Sequence, residues 1–180
     1  MEAVHIQLAL RKKVSNVFLF CDDIGDVLKI FILRLSTSIG DSIGGSNKRV
    51  SFTKKEVSFL LENEICRVAT SYNNIPHIVP VNYIYENNFL YFATDYSTRK
   101  YRNLQKNKKI AVTIDVYNSS LNNIAVVIQG SSELIERGQE FKRLYKIFER
   151  KFEWVRNDPW QEGEAPFIKV HPVNKVSWGL

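Results

Sequence analysis

The chain has 180 residues, 44% of them hydrophobic and 24% charged, which is the balance of an ordinary globular protein and enough length for one domain with a real core. Collagen-like, mucin-like and disordered readings are excluded by that composition. The net charge of +6 is modest, so its distribution along the chain matters more than its size.

In chain order, the first apolar run, Val17 to Leu35, is broken by Asp22, Asp23, Asp26, Lys29 and Arg34. Each such charge would cost about 2.5–3.5 kcal/mol at a bilayer centre, so the run is not read as a membrane span. Arg11, Lys12 and Lys13 precede a stretch that lacks a small-residue cleavage site, which argues against a secretory signal and for a cytoplasmic protein. Ser36 to Ser46 is rich in Gly and Ser and reads as a linker. Residues 1–50 are therefore treated as an N-terminal appendage, and 51–180 as the main domain. Cys21 and Cys66 have no C-x-x-C spacing and read as small buried hydrophobes, while His5, His77 and His171 are too scattered for a zinc motif. No metal site is expected.

Thr53 and Glu56 have the spacing of a capping box, and Val57, Leu60 and Leu61 follow at helical intervals, predicting a helix over 54–63. Strands are predicted at 65–71, 75–85, 89–94, 110–117, 124–135 and 167–171, with a further piece at 175–178. Asn73-Asn74 and Asn87-Asn88 tolerate positive φ and predict tight turns, so that the first three strands would form an antiparallel meander. The second strand is apolar on both faces and contains Pro80, which denies one ladder hydrogen bond, and this suits a small closed or split barrel whose outer face is covered by a helix or a second subunit. Helices are predicted at 97–107, short and basic, and at 137–152, where Phe141, Leu144, Tyr145, Phe148 and Phe152 form a stripe for the core. Between them and the last strand, Trp154, Pro159 and Trp160 fall in a segment read as an irregular loop, its tryptophans fit for core packing or for contact with a ligand or subunit.

The chemistry concentrates in one place. Tyr96 to Ile114 contains no carboxylate but holds Arg99, Lys100, Arg102, Lys106, Lys108 and Lys109. Ser97 or Thr98 would cap the first turn of the basic helix, where Arg99 and Lys100 oppose the helix dipole. A bound phosphate would reverse that penalty, because free N–H groups, hydroxyls and both cations would then meet an anion. A solvated basic helix face and a single-strand nucleic-acid surface are the competing readings, the latter weakened by Arg67 being the sole cation between Ile65 and Tyr85.

Several runs now resemble one family. They are Cys66-Arg67-Val68-Ala69-Thr70, Ile75-Pro76-His77-Ile78-Val79-Pro80-Val81, Leu90-Tyr91-Phe92-Ala93-Thr94, Ser97-Thr98-Arg99-Lys100, Asn103-Leu104, Lys109-Ile110-Ala111-Val112-Thr113, and the ending Phe167-Ile168-Lys169-Val170-His171-Pro172 with Val176-Ser177-Trp178. In order and spacing they resemble the FMN-binding split-barrel proteins related to pyridoxamine 5'-phosphate oxidase. The resemblance implies a mainly β (α+β) fold, a six-stranded antiparallel split barrel with flanking helices, and a homodimer carrying FMN at its interface. It implies that Thr94, Ser97, Thr98, Arg99 and Lys100 hold the FMN phosphate. His77, Ile78, Val79 and Asn82, with Phe92 and Ala93, would lie along the flavin ring and ribityl chain, and Gln129 and Trp178 would reach it from the other subunit. The activity implied is an FMN-dependent oxidoreductase acting on a small molecule.

Two departures from the true oxidases stand out. His77 and Asn82 occupy positions of an arginine and a lysine, and the chain ends at Leu180 without the basic R-x-H tail that grips a substrate phosphate, so pyridoxamine phosphate is not the expected substrate. His77 and Tyr83 are proton-donor candidates, each with an alternative as a packed strand residue. The deazaflavin F420 is the alternative cofactor, and a non-catalytic barrel for an anionic ligand or nucleic acid is the alternative of a different class.

Overall fold

Thr53 and Glu56 form the predicted capping box in the computed structural model, which describes residues 50–117 and 123–180. The Thr53 hydroxyl accepts the Glu56 N–H at 3.3 Å, the Glu56 carboxylate accepts the Thr53 N–H at 2.7 Å, and helix α1 (Lys54–Glu62) follows. The predicted appendage, Val50 excepted, lies outside the described residues, as do Cys21, His5 and the apolar run from Val17. Cys66 is buried, as its reading as a small hydrophobe expects.

Strands β1 (Ile65–Tyr72) and β2 (Ile75–Asn82) form a hairpin, as do β3 (Ile84–Glu86) and β4 (Phe89–Ala93). Both turns run through paired asparagines with φ between 51° and 68°, the left-handed conformation these residues tolerate. Helix α2 (Arg99–Lys106), strands β5 (Lys109–Val116) and β6 (Ile124–Ile135), helices α3 (Gly138–Lys151) and α4 (Glu153–Asn157), and strand β7 (Phe167–Trp178) complete the chain. All pairings are antiparallel, in the order β2-β1-β5-β6-β7-β4-β3.

Only Tyr83 separates β2 from β3, yet these strands stand at the two ends of the sheet. A seven-stranded sheet whose edges are one residue apart must curl until they meet, and that is the split barrel. The predicted second strand is therefore broken at Tyr83, and the meander is corrected to two hairpins that share no ladder. Apolar periodicity runs unbroken through Tyr83 and could not reveal the bend. The closing strand also differs from expectation, since β7 is continuous through Pro172. A register shift at Gln129/Gly130 accommodates it, and a Cβ on Gly130 would stand 2.1 Å from the His171 carbonyl oxygen, so only glycine fits.

Inward residues of the strands, among them Val68, Val112, Ile128 and Val170, fill the barrel. Helix α1 closes one end with Phe59 and Leu60, and α2 closes the other with Leu104. Helix α3 covers the outer face around β4 and the start of β7, where Phe141, Leu144 and Phe148 meet Tyr91 and Phe167. No helix among the described residues is long and apolar enough to cross a membrane.

Candidate ligand site

Strand β4 ends at Ala93, and the chain turns through Thr94 to Thr98 before entering α2. Thr98 is the N-cap: its hydroxyl accepts the Tyr101 N–H at 3.3 Å, donates to the Asp95 carbonyl at 2.8 Å, and lies 2.9 Å from the Thr94 hydroxyl. The first turn of α2 holds no acid. Further along, Asn103 donates to the Thr70 hydroxyl at 3.0 Å and Asn107 to the Ser71 carbonyl at 3.0 Å, which pins the helix across the barrel mouth.

Ala93, Thr94, Asp95 and Lys100 line a pocket of about 160 Å³, whose other wall is Trp154, Asp158, Trp160 and Ala165. The second wall comes from the segment read as an irregular loop, where the structure has α4 and the two indoles stacked 5.7 Å apart and nearly parallel. From the sequence, Trp154 and Trp160 are read as fit for core packing or for contact with a ligand or subunit. Nothing local in the sequence signals that they face Lys100, because the approach is made by the turn after β4 and the stretch before β7, tied by the Thr94 N–H donating to the Pro166 carbonyl at 3.1 Å.

Lys100 is partly buried, and among the described residues no carboxylate lies within ion-pairing distance of it. Burial pushes its pKa below the ordinary 10.5, and the charge of Asp95 offsets part of that. The indole N–H of Trp160 is hidden from solvent and has no acceptor among the described residues. The pocket thus presents a cation without an ion pair among the described residues. Its two carboxylates, Asp95 and Asp158, belong to exposed residues, where hydration weakens their field.

The other predicted site residues distribute over two faces. Ala93 and Thr94 lie in the pocket, with Ser97 and Arg99 exposed in the adjoining turn and helix start. His77 and Val79 are partly buried on the inward side of β2, His77 opposite the Thr70 that Asn103 holds. Asn82 ends β2 and donates to the Glu64 carbonyl at 3.3 Å. The Phe92 side chain is enclosed in the barrel core. Tyr83 is also enclosed, and its hydroxyl donates to the Leu60 carbonyl at 2.7 Å; burial, with the charge of Cys66 second, raises its pKa well above 10. That bond ties the junction of β2 and β3 to α1.

On the outer face, Ile78, Ala69, Ala111, Gln129 and Asn174 sit opposite one another in turn and form one row across five strands. The two alanines leave a shallow groove of about 630 Å³ bordered by Pro76, Gln129, Val173 and Asn174. Ile78, Val173 and Trp178 on this face are 62%, 71% and 48% exposed. Trp178 lies four residues beyond Asn174 on β7, so within one chain Gln129 and Trp178 share a face but not a pocket.

The sequence model of the pyridoxamine 5'-phosphate oxidase family matches residues 52–174. No curated protein matches the chain in sequence. The fold recurs in a FAD-binding protein from Mesorhizobium loti, 18% identical with a TM-score of 0.58, which covers 70% of this chain and 94% of that one. It recurs in the FAD binding protein from Mycobacterium smegmatis, 16% identical with a TM-score of 0.51, covering 71% and 94%. The heme storage protein HutZ from Vibrio cholerae is similar too, 13% identical with a TM-score of 0.59, covering 70% and 93%. With barrel topology and family model in agreement over well more than half its length, this chain belongs to the pyridoxamine 5'-phosphate oxidase family.

Proposed function

We propose that the protein binds FMN as a homodimer and acts as a flavin-dependent oxidoreductase in the cytoplasm. The observation that carries this reading is Lys100, a partly desolvated ammonium without an ion-pair partner among the described residues, on a pocket beside a helix start that holds no acid. A phosphate monoester supplies the missing charge. In this reading Lys100 and the Thr94 hydroxyl hold the phosphate, Ser97 and Thr98 shape the turn around it, and the exposed Arg99 adds long-range attraction. The pocket's volume of about 160 Å³ suits a phosphate and not a whole flavin nucleotide, so the ring extends beyond it.

The ring is assigned to β2, along His77, Ile78, Val79 and Asn82, with the backbone of Phe92 and Ala93 nearby. Gln129 and Trp178 of a second copy complete the site. Support for the dimer comes from Ile78, Val173 and Trp178, apolar groups left uncovered on the face that α3 does not reach. FMN, when bound, supplies hydride transfer, and the chain's task is to bind and orient it and to exclude water from the ring through the apolar face. His77 is the titratable group of the ring-side strand and positions a donor beside it.

The absorbance and mass of the small molecule that copurifies with the protein test this reading. Flavin bands and the mass of FMN, together with a dimer in sedimentation, are expected. The deazaflavin F420 in its place would overturn the cofactor. A monomer that takes up no flavin on titration would overturn the whole.

A further inference from the structure

We infer that Asn103 and Thr70 are positioning residues: their hydrogen bond holds the start of α2, where the phosphate is placed, in register with the ring-side strand β2, so that both ends of one FMN molecule are met at once. This inference rests on the flavin reading above and adds to it the pair of residues that sets the spacing between the two ends.

Helix α2 has three buried residues, Tyr101, Asn103 and Leu104. Asn103 is 6% exposed, at a place where an apolar side chain would stabilise the fold more, because desolvating an amide offsets most of what its hydrogen bond returns. Its amide donates to the hydroxyl of Thr70, itself 4% exposed, at 3.0 Å. Such a pair adds little to stability and much to register, since any sliding of the helix along the strand would leave both groups buried and unpaired. The next turn repeats the grip, where Asn107 donates to the Ser71 carbonyl at 3.0 Å. Two successive residues of β1 are thus held by one face of the helix.

Thr70 is also the residue of β1 directly opposite His77 of β2. Directly opposed residues in an antiparallel pair send their side chains to the same face, with Cβ atoms about 5 Å apart. Thr70 therefore stands between the helix that carries Lys100 and the strand to which the ring is assigned. Lys100 precedes Asn103 by less than one helical turn, so a shift of α2 carries its ammonium along. The ribityl chain of FMN has a limited reach. A site that contacts both ring and phosphate gains from the second contact only when its two halves are held at that separation.

Calorimetric titrations of wild type and Thr70→Val with FMN and with riboflavin, together with the rise in melting temperature in inorganic phosphate, test the assignment. Valine keeps the shape of threonine and removes the acceptor. FMN affinity should fall roughly 10-fold. Riboflavin, which uses the ring end alone, and inorganic phosphate, which uses the helix start alone, should act as they do on wild type. Thr70→Ser, which restores the hydroxyl, should restore FMN. Unchanged FMN affinity in Thr70→Val would overturn the inference, and so would a loss that riboflavin or phosphate shares equally, because a bond that merely supports the fold weakens every ligand alike. Should Thr70→Val fail to fold, Asn103→Ser withdraws the donor from the other side and decides by the same measurements. Wild type that binds FMN no more tightly than riboflavin would instead defeat the phosphate reading, and this inference with it.

Discussion

Glu56 and Lys100 are both charges drawn away from water, one at each end of the barrel, and the protein treats them in opposite ways. Glu56 is almost fully buried, and burial alone would raise its pKa. Hydrogen bonds from Lys175, the Thr53 N–H and Ser177 outweigh that and hold the carboxyl at about 2, below its ordinary 4.5. Lys100 has no ion-pair partner among the described residues, and the charge of Asp95 only partly offsets its desolvation, so its pKa falls. One end is a finished electrostatic network that locks α1 onto β7. The other leaves Lys100 without an ion pair among the described residues, on a pocket that Trp160 also lines. Burial depresses the pKa of two lysines among the described residues, Lys100 and Lys151, and of these only Lys100 lines the pocket, which makes it the candidate contact for a ligand's negative charge.

The sharpest way to break this contrast is at the finished end. Glu56→Ala removes the capping-box acceptor and strands Lys175, and should destabilise the fold by about 3 kcal/mol in urea unfolding, as breaking a buried pair does. The pH dependence carries a definite sign. Since the folded pKa is depressed, the stabilisation is fully present above 4.5 and is lost as pH falls from 4.5 towards about 2. Wild type should therefore lose stability over that window, and Glu56→Ala should show a flatter acid limb. Parallel acid limbs in the two proteins would show that the network is not what holds α1.

Half of this contrast was legible in the sequence. Thr53 and Glu56 announce the capping box through local spacing alone, and the acid-free run around α2 points to the helix start where an anion is proposed to bind. What sequence could not show were the partners that complete or fail to complete each charge. Lys175 and Ser177 reach Glu56 across more than a hundred residues of chain, and only barrel closure brings them together. Trp154 and Trp160 stand in a stretch without periodicity, so their place opposite Lys100 emerges only when the segment before β7 folds back along Thr94. Likewise the bend at Tyr83 is set by the need of the sheet's two edges to meet, not by any local breaker.

At the unfinished end, Lys100→Gln should weaken FMN roughly 10- to 100-fold by titration, the range expected for a charge-assisted hydrogen bond. The unliganded variant should nevertheless melt no lower than wild type, because the charge removed was a cost to the fold. Affinity in wild type should also decline as pH rises through the depressed lysine pKa, below the 10.5 at which an ordinary lysine would lose its charge. A variant that both binds FMN normally and melts lower would make Lys100 a structural residue like Glu56 and erase the distinction between the two ends.

The smallest effect is expected at the seam where the barrel closes. Tyr83 is fully buried, its N–H donates to the Glu64 carbonyl at 3.0 Å, and its hydroxyl donates to the Leu60 carbonyl at 2.7 Å, joining the sheet's edges to α1. Tyr83→Phe keeps the ring and the backbone bond and removes one buried hydrogen bond, so the loss should be about 1 kcal/mol in urea unfolding. FMN affinity should be unchanged, because the hydroxyl belongs to the finished end. If Tyr83→Phe instead spared stability and altered flavin binding or its pH profile, the phenol would have to move towards the ring when ligand enters, and the division between a structural end and a binding end would fail at the residue where the two edges of the sheet join.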